Sequence, residues 1–260
     1  MKNLMRSAWI AVMLAVPVAA AAQDIPPLFQ QAPAVLYETY RGVNAPVFNE
    51  YFSMLADRYA DSDGYGWGVY RENPTVAYRI TALPEGLQSM VEVQAARIAI
   101  FETFGESEVA LWNSAWGSRH VAVYDAAPGM SVVPAGFTVA DIQALPYNRV
   151  TVYHLTWDKA PEFRRALAAR SALDRAAGIA GFVMTVWNGG IGTEAPTVMV
   201  RVSAASQAAD IGANATARRA ARAAYQAEFG RLSGIMNAAA RHIERHDQVR
   251  VPRLSHVPGA

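Results

Sequence analysis

Histidine is scarce in this chain, and three of its five histidines stand where imidazole chemistry is conceivable. His242 and His246 lie four apart in His242-Ile243-Glu244-Arg245-His246. On a helix that spacing puts both rings on one face, a geometry that suits zinc, with Asp247 as a third donor. The metalloprotease arrangement needs Glu directly after the first histidine, and Ile243 stands there instead. Arg119-His120 resembles Arg245-His246 but has Trp116, not histidine, four residues before His120. The pair therefore reads as a structural Arg-His at a helix exit, favourable near the negative helix end, and no metal site is expected. His154 shares strand parity with Val152 and Thr156, which turns it inward. It is the residue best suited to acid–base work or a haem contact, with a hydrogen-bonded core histidine as the plainer reading.

Arg79 and Arg201 each sit in an apolar strand run, where a guanidinium is costly unless paired. Either could clamp a carboxylate bidentately or form an ion pair at the sheet end. Tyr37, Tyr40, Trp67, Tyr70, Tyr78, Tyr153, Trp157 and Trp187 would suit an apolar or aromatic ligand, or simply fill a sheet interior. The candidate ligand-binding set is thus His154, Arg79, Arg201, Trp67, Tyr78 and Trp187. Other chemistries are not encoded. The chain lacks cysteine, so disulfides, thiolate metal sites and a thiol nucleophile are out. Gly189-Gly190-Ile191-Gly192 follows a strand but opens no helix, so it is no dinucleotide fingerprint. Asp61-Ser62-Asp63-Gly64 is too short for a calcium loop, and no serine sits in a nucleophile elbow. No cofactor is indicated by any motif.

The N-terminus reads as an address. Lys2 and Arg6 precede an apolar run from Ala8 to Ala19, and Ala20-Ala21-Ala22 supplies small residues before Gln23. That is a secretory signal at 1–22, too short for a membrane span of about 20 residues. A periplasmic or secreted protein without a lasting membrane anchor is expected. Lys+Arg of 23 against Asp+Glu of 22 leaves no general basic field, so nucleic acid is not an expected partner. Charge is nevertheless split: residues 23–146 carry 6 Arg and 14 acids, and residues 147–260 carry 15 basic and 8 acidic residues. Docking of two oppositely charged halves would explain this. So would a basic helix face formed by Arg218, Arg219, Arg222, Arg231, Arg241 and Arg245 for an anionic envelope partner.

The elements that would position these residues occur twice. Ala45-Pro46-Val47-Phe48 matches Ala160-Pro161-Glu162-Phe163, Asn73 matches Asn188, and Thr75-Val76 with Arg79 matches Thr197-Val198 with Arg201. Phe104-Gly105 matches Phe229-Gly230, and Arg119-His120 matches Arg245-His246; the offset only grows along the chain. The first copy predicts strands at Val35 to Arg41, Trp67 to Arg71, Val76 to Thr81 and Val121 to Tyr124. Its helices are predicted from Asn44 to about Ala60 and from Pro84 to Trp116, broken near Gly105. The second copy predicts strands at Arg149 to Trp157, Gly181 to Trp187, Val198 to Ser203 and Val249 to Val251. Its helices are predicted over Pro161 to Ala176 and Ala208 to Arg245. Expected units are an N-terminal segment at 23–34, repeats at 35–125 and 148–255, and a linker at 126–147.

A β-α-β-β-α-β order is ferredoxin-like. Both strand parities are apolar, so each sheet needs a second covering layer, which two copies can supply by packing sheet to sheet. This plan resembles the dimeric α+β barrel superfamily, with members such as the NIPSNAP proteins and the antibiotic-biosynthesis monooxygenases. The resemblance covers nearly all of Val35 to Leu254 and rests on pattern alone. It implies an α+β fold of tandem ferredoxin-like units forming an intramolecular barrel, with small-molecule pockets between sheet and helices. It also implies haem among the cofactors of chlorite-dismutase-like relatives. Three functions fit: an exported protein binding a small apolar or aromatic molecule in the barrel, a cofactor-free or haem-dependent barrel enzyme, and an interaction module with a filled barrel. Oligomerisation is left open.

Overall fold

Val35 to Tyr40 has the β-branched and aromatic content of a strand covered on both faces, and it forms most of β1, Ala34–Arg41. The computed structural model describes residues 25–60 and 65–257. The signal at 1–22 and the Asp61–Gly64 turn lie outside those residues. After β1 come β2 (Trp67–Asn73), β3 (Val76–Leu83) and β4 (Ser118–Ala126). The second half supplies β5 (Tyr147–Leu155), β6 (Val183–Gly189), β7 (Thr197–Ala204) and β8 (Ala240–Arg250). All eight close into one antiparallel barrel in the order β1-β3-β2-β8-β5-β7-β6-β4. The first half therefore reads β4-β1-β3-β2 around the wall, and the second reads β8-β5-β7-β6. The expected sheet-to-sheet stack is instead a continuous wall, joined edge to edge. The joints are short: two paired positions link β2 to β8, and three link β4 to β6.

Helices cover the outside. Over the first half lie α2 (Ala45–Tyr59), α3 (Ser89–Phe101) and α4 (Glu106–Ser114). Over the second lie α6 (Ala160–Ala176) and a long run that starts at α7 (Gln207–Ala209). That run passes through a π-helical turn at Asp210–Asn214 into α8 (Ala215–Arg222) and α9 (Gln226–Ala239). Phe163, Leu167 and Met236 pack on Met184, Val186, Val198 and Val200, with Phe163 and Leu167 fully buried. Each such side chain contributes about 1.5–3 kcal/mol by leaving water. The other end of the barrel is closed by α1 (Pro27–Gln31) and α5 (Val139–Gln143), through Leu28, Phe29 and Ile142. The segment expected to be a simple linker is thus part of the core.

Three sequence expectations change here. Residues 240–247 are strand, not the end of a helix. Four residues of strand span roughly 13 Å rather than one helical turn, so the zinc spacing of His242 and His246 is lost. Arg79 and Arg201 do not occupy equivalent faces: Arg79 pairs with the outward-facing Glu38, whereas Arg201 pairs with the inward-facing Val150. The charge split does not appear as Arg or Lys ion pairs between the halves either. Among the described residues every Arg or Lys ion pair lies within its own half, and only His246–Glu72 crosses between them. The six arginines of the supposed basic face diverge: Arg218 turns to Asp210 and Arg222 to Asp174, while Arg241 and Arg245 lie on β8.

Candidate functional site

Strand pairing alone gathers charge on the outer face of the first half. Glu38 stands directly opposite Arg79 on β3, and Tyr40 stands opposite Arg119 on β4. Period-2 alternation keeps these four side chains on the side facing the helices. Arg97 reaches down from α3: its Nη2 donates to Glu38 Oε2 at 2.8 Å and to Thr81 Oγ1 at 3.2 Å. Arg119 Nε lies 3.2 Å from Glu38 Oε1, and the Tyr40 hydroxyl donates to the same oxygen at 3.2 Å. Arg79 Nε stays 3.7 Å from Oε2, and its guanidinium lies over the Trp67 ring, 4.4 Å from the centroid. Glu38 is 1 % exposed. Burial on its own would raise its carboxyl, but the charges of Arg97, Arg79 and Arg119 outweigh that and hold it below the ordinary carboxylate range. Burial also pushes the Tyr40 and Tyr51 phenols up, so both stay protonated donors.

Beside this cluster the helices leave a cavity of about 240 Å³. Its apolar walls are Tyr51 and Leu55 of α2, Ile98 and Phe101 of α3, Phe104, and Trp112 of α4. Edge-to-face contacts of Tyr51 with Phe104 and Trp112 fix part of that wall. The cavity therefore joins an aromatic box to a cationic floor.

A second cavity, about 420 Å³, opens at the mouth of the barrel. Here imidazoles and carboxylates alternate. His154 Nε2 lies 3.0 Å from Glu244 Oε1, and His246 Nε2 lies 3.2 Å from Glu244 Oε2. His246 Nδ1 lies 3.1 Å from Glu72 Oε2, which also accepts from the Tyr78 hydroxyl. Burial would raise the Glu244 carboxyl, but the hydrogen bond from His246 and the adjacent His154 lower it. His242 is largely exposed and stacks on His154 with centroids 5.5 Å apart. His154 Nε2 and both His246 nitrogens face carboxylates, while His154 Nδ1 has no hydrogen-bond partner among the described residues.

The sequence-predicted residues thus divide. Arg79 and Trp67 meet on the outer face. His154 and Tyr78 line the barrel mouth. Arg201 is buried inside the barrel, donating to the Tyr70 hydroxyl at 2.9 Å, with no carboxylate partner among the described residues. Trp187 also faces the interior, donating to Thr185 Oγ1 at 3.0 Å and meeting Phe29 edge-on. Aromatic side chains fill the barrel centre, so the apolar cavity lies outside the wall rather than within it. Sequence reasoning missed Glu38, Arg97, Arg119, Tyr51, Phe101 and Trp112. A signal existed for the first two: an acid inside Val-Leu-Tyr-Glu-Thr-Tyr and a base inside Ala-Ala-Arg-Ile-Ala-Ile.

Haem does not fit the aromatic cavity. Its walls offer no imidazole, thiolate or thioether as axial ligand, burial holds the Tyr40, Tyr51 and Tyr59 phenols in the protonated form rather than as tyrosinate ligands, and 240 Å³ falls below the roughly 300–1,000 Å³ of common small-molecule pockets.

No protein-family model and no curated protein matches the sequence. Solved structures do match the fold. An anthrone oxidase-like protein is 15% identical, with 87% of this chain and 94% of that one aligned at a TM-score of 0.55. A proposed monooxygenase of Lactobacillus acidophilus NCFM is 11% identical over 88% and 98%, at 0.53. Another from Fusobacterium nucleatum is 8% identical over 84% and 93%, at 0.52. Nearly the whole length of each of these chains is matched, and what this protein shares with them is the fold.

Proposed function

We propose that this is an exported protein that binds a small apolar or aromatic molecule, and that the site is the cavity between the barrel wall and α2–α4. The observation that carries the reading is the aromatic box of Tyr51, Phe101, Phe104 and Trp112 around a cavity of about 240 Å³. A dry apolar cavity of about 150 Å³ is enough to hold benzene, so this volume suits a compound of one or two rings. The two halves are read as tandem copies of one ferredoxin-like unit, as in a NIPSNAP-like arrangement. The recurring strand order β4-β1-β3-β2 and β8-β5-β7-β6 supports this. Export rests on the sequence at 1–22, and N-terminal sequencing of envelope protein should begin at or near Gln23.

Binding is tested with 2-naphthamide, a neutral two-ring probe, followed through tryptophan fluorescence because Trp112 is in the wall. Saturable quenching is expected in the wild type. Ile98→Trp, which fills the cavity from α3, should abolish it. Quenching that survives Ile98→Trp unchanged would place the probe elsewhere and end this reading.

A further inference from the structure

Resting on that reading of the cavity, we infer that its occupant carries an anionic group, a carboxylate or its equivalent, and that Arg79 receives it. Among the described residues the charge count at the cavity floor is unbalanced: one carboxylate, Glu38, faces three guanidiniums, Arg79, Arg97 and Arg119. Both oxygens of Glu38 are engaged by other partners. Oε1 takes Tyr40 and Arg119, and Oε2 takes Arg97 at 2.8 Å, which leaves Arg79 at 3.7 Å. Arg79 is also the most deeply buried of the three, at 6 % exposure. Its Nε has no hydrogen-bond partner among the described residues, and neither does Nε of Arg97.

A buried guanidinium without a bonded anion is unfavourable, because desolvation is not offset. Here Glu38 supplies opposite charge at 3.7 Å but no hydrogen bond. The Trp67 face beneath Arg79 fixes the plane of the guanidinium by cation–π contact and leaves its edge free. Arg79 is among the residues that line the cavity. A planar fork of N–H donors matches a carboxylate in bidentate geometry, which a lysine ammonium would not reproduce. Burial keeps the Tyr51 phenol protonated, so it meets an entering anion as a neutral group rather than a repelling phenolate. The apolar walls opposite then take the ring system. A neutral ligand would fill those walls but leave the Arg79 fork unpaired, and a cationic ligand would be repelled by the excess positive charge.

The experiment compares 2-naphthoate with 2-naphthamide, near-isosteric probes that differ in charge, on the full mature chain. The wild type should bind naphthoate at least about tenfold more tightly than naphthamide, a difference of about 1.4 kcal/mol. Arg79→Met should remove that preference, bringing the two probes to comparable affinity, and Arg79→Lys should keep only part of it. Equal affinities in the wild type would overturn the anion inference and leave the cavity as an apolar site. Saturable binding of neither probe, or binding that ignores Ile98→Trp, would overturn the cavity reading itself. Should Arg79→Met fail to fold by circular dichroism, the wild-type comparison and Arg79→Lys decide alone.

Discussion

Glu38 organises the site because, among the described residues, it is the one carboxylate in reach of three guanidiniums, and its removal should be felt in two ways. Glu38→Gln leaves Arg79, Arg97 and Arg119 without their counter-charge, and breaking a buried pair by deleting one partner costs about 3–5 kcal/mol. Urea unfolding at pH 7 should show that loss. The folded carboxyl is held below its ordinary value, so its stabilising contribution is fully present above about pH 4.3 and fades as pH falls through the lower folded value. The wild type should therefore lose stability on acidification below about pH 4.3, and Glu38→Gln should show a flatter acid limb. Parallel acid limbs would mean that Glu38 titrates normally. Only part of this cluster was legible in the sequence. Arg79 drew notice because a lone arginine in an apolar strand needs a partner. Its partner Glu38 comes from a strand about 40 residues earlier, and Arg97, which binds the same carboxylate, from a helix about 20 residues later; no local spacing announces either. Arg201 looked equivalent by sequence offset, yet an even offset between strands whose inward faces differ in parity sends it to the opposite side of the wall.

At the scale of elements, the strands with strong β-branched and aromatic content were legible almost to their ends, and β8 was not. The Ala-rich run before it has helical composition, and the charged stretch Arg241 to Asp247 carries little β propensity. That stretch becomes strand because β5 offers it a nine-position ladder, a non-local partner that local pattern does not reveal. The glycine-rich segment after β6 likewise shows its purpose only in three dimensions. Val123 N donates to Ile191 O at 2.8 Å and Gly190 N to Val123 O at 2.9 Å, so the loop prolongs the short β4–β6 joint. Gly192 has a φ of +79°, and a Cβ there would stand 2.2 Å from Val121 O. Gly192→Ala should cost at least about 1–3 kcal/mol, since a side chain in the left-handed region is strained and the backbone leaves it no space. Gly136→Ala is the internal control: its φ is +78° with nothing within 4 Å of the added Cβ, so it carries the conformational cost alone. Thermal unfolding of both variants checks this, and equal destabilisation would mean the loop is not pressed against β4.

Across the whole molecule, what holds the halves together differs from what their net charges suggest. The ion pairs of arginine and lysine stay inside each half, so the opposite charges of the two halves do not meet as contacts at the joints. What crosses is buried: Arg201 to the Tyr70 hydroxyl, Gln248 to the Tyr37 hydroxyl, and the shared apolar interior of Val35, Tyr37, Tyr78, Val150, Val183 and Trp187. Apolar burial is insensitive to moderate salt, whereas exposed charge attraction is screened within about 8–10 Å at physiological ionic strength. A protease site inserted at the exposed Ala135-Gly136 turn would cut the chain between β4 and β5 without touching either wall. After cleavage, the two fragments should co-elute on size exclusion as one species, equally at 0.05 M and 0.5 M NaCl. The segments on either side of the cut should stay docked, because Met130 and Val132 pack with Met184, and Ile142 packs with Phe29. Fragments that separate as salt rises would show that long-range attraction between the acidic and basic halves, not the shared interior, closes the barrel.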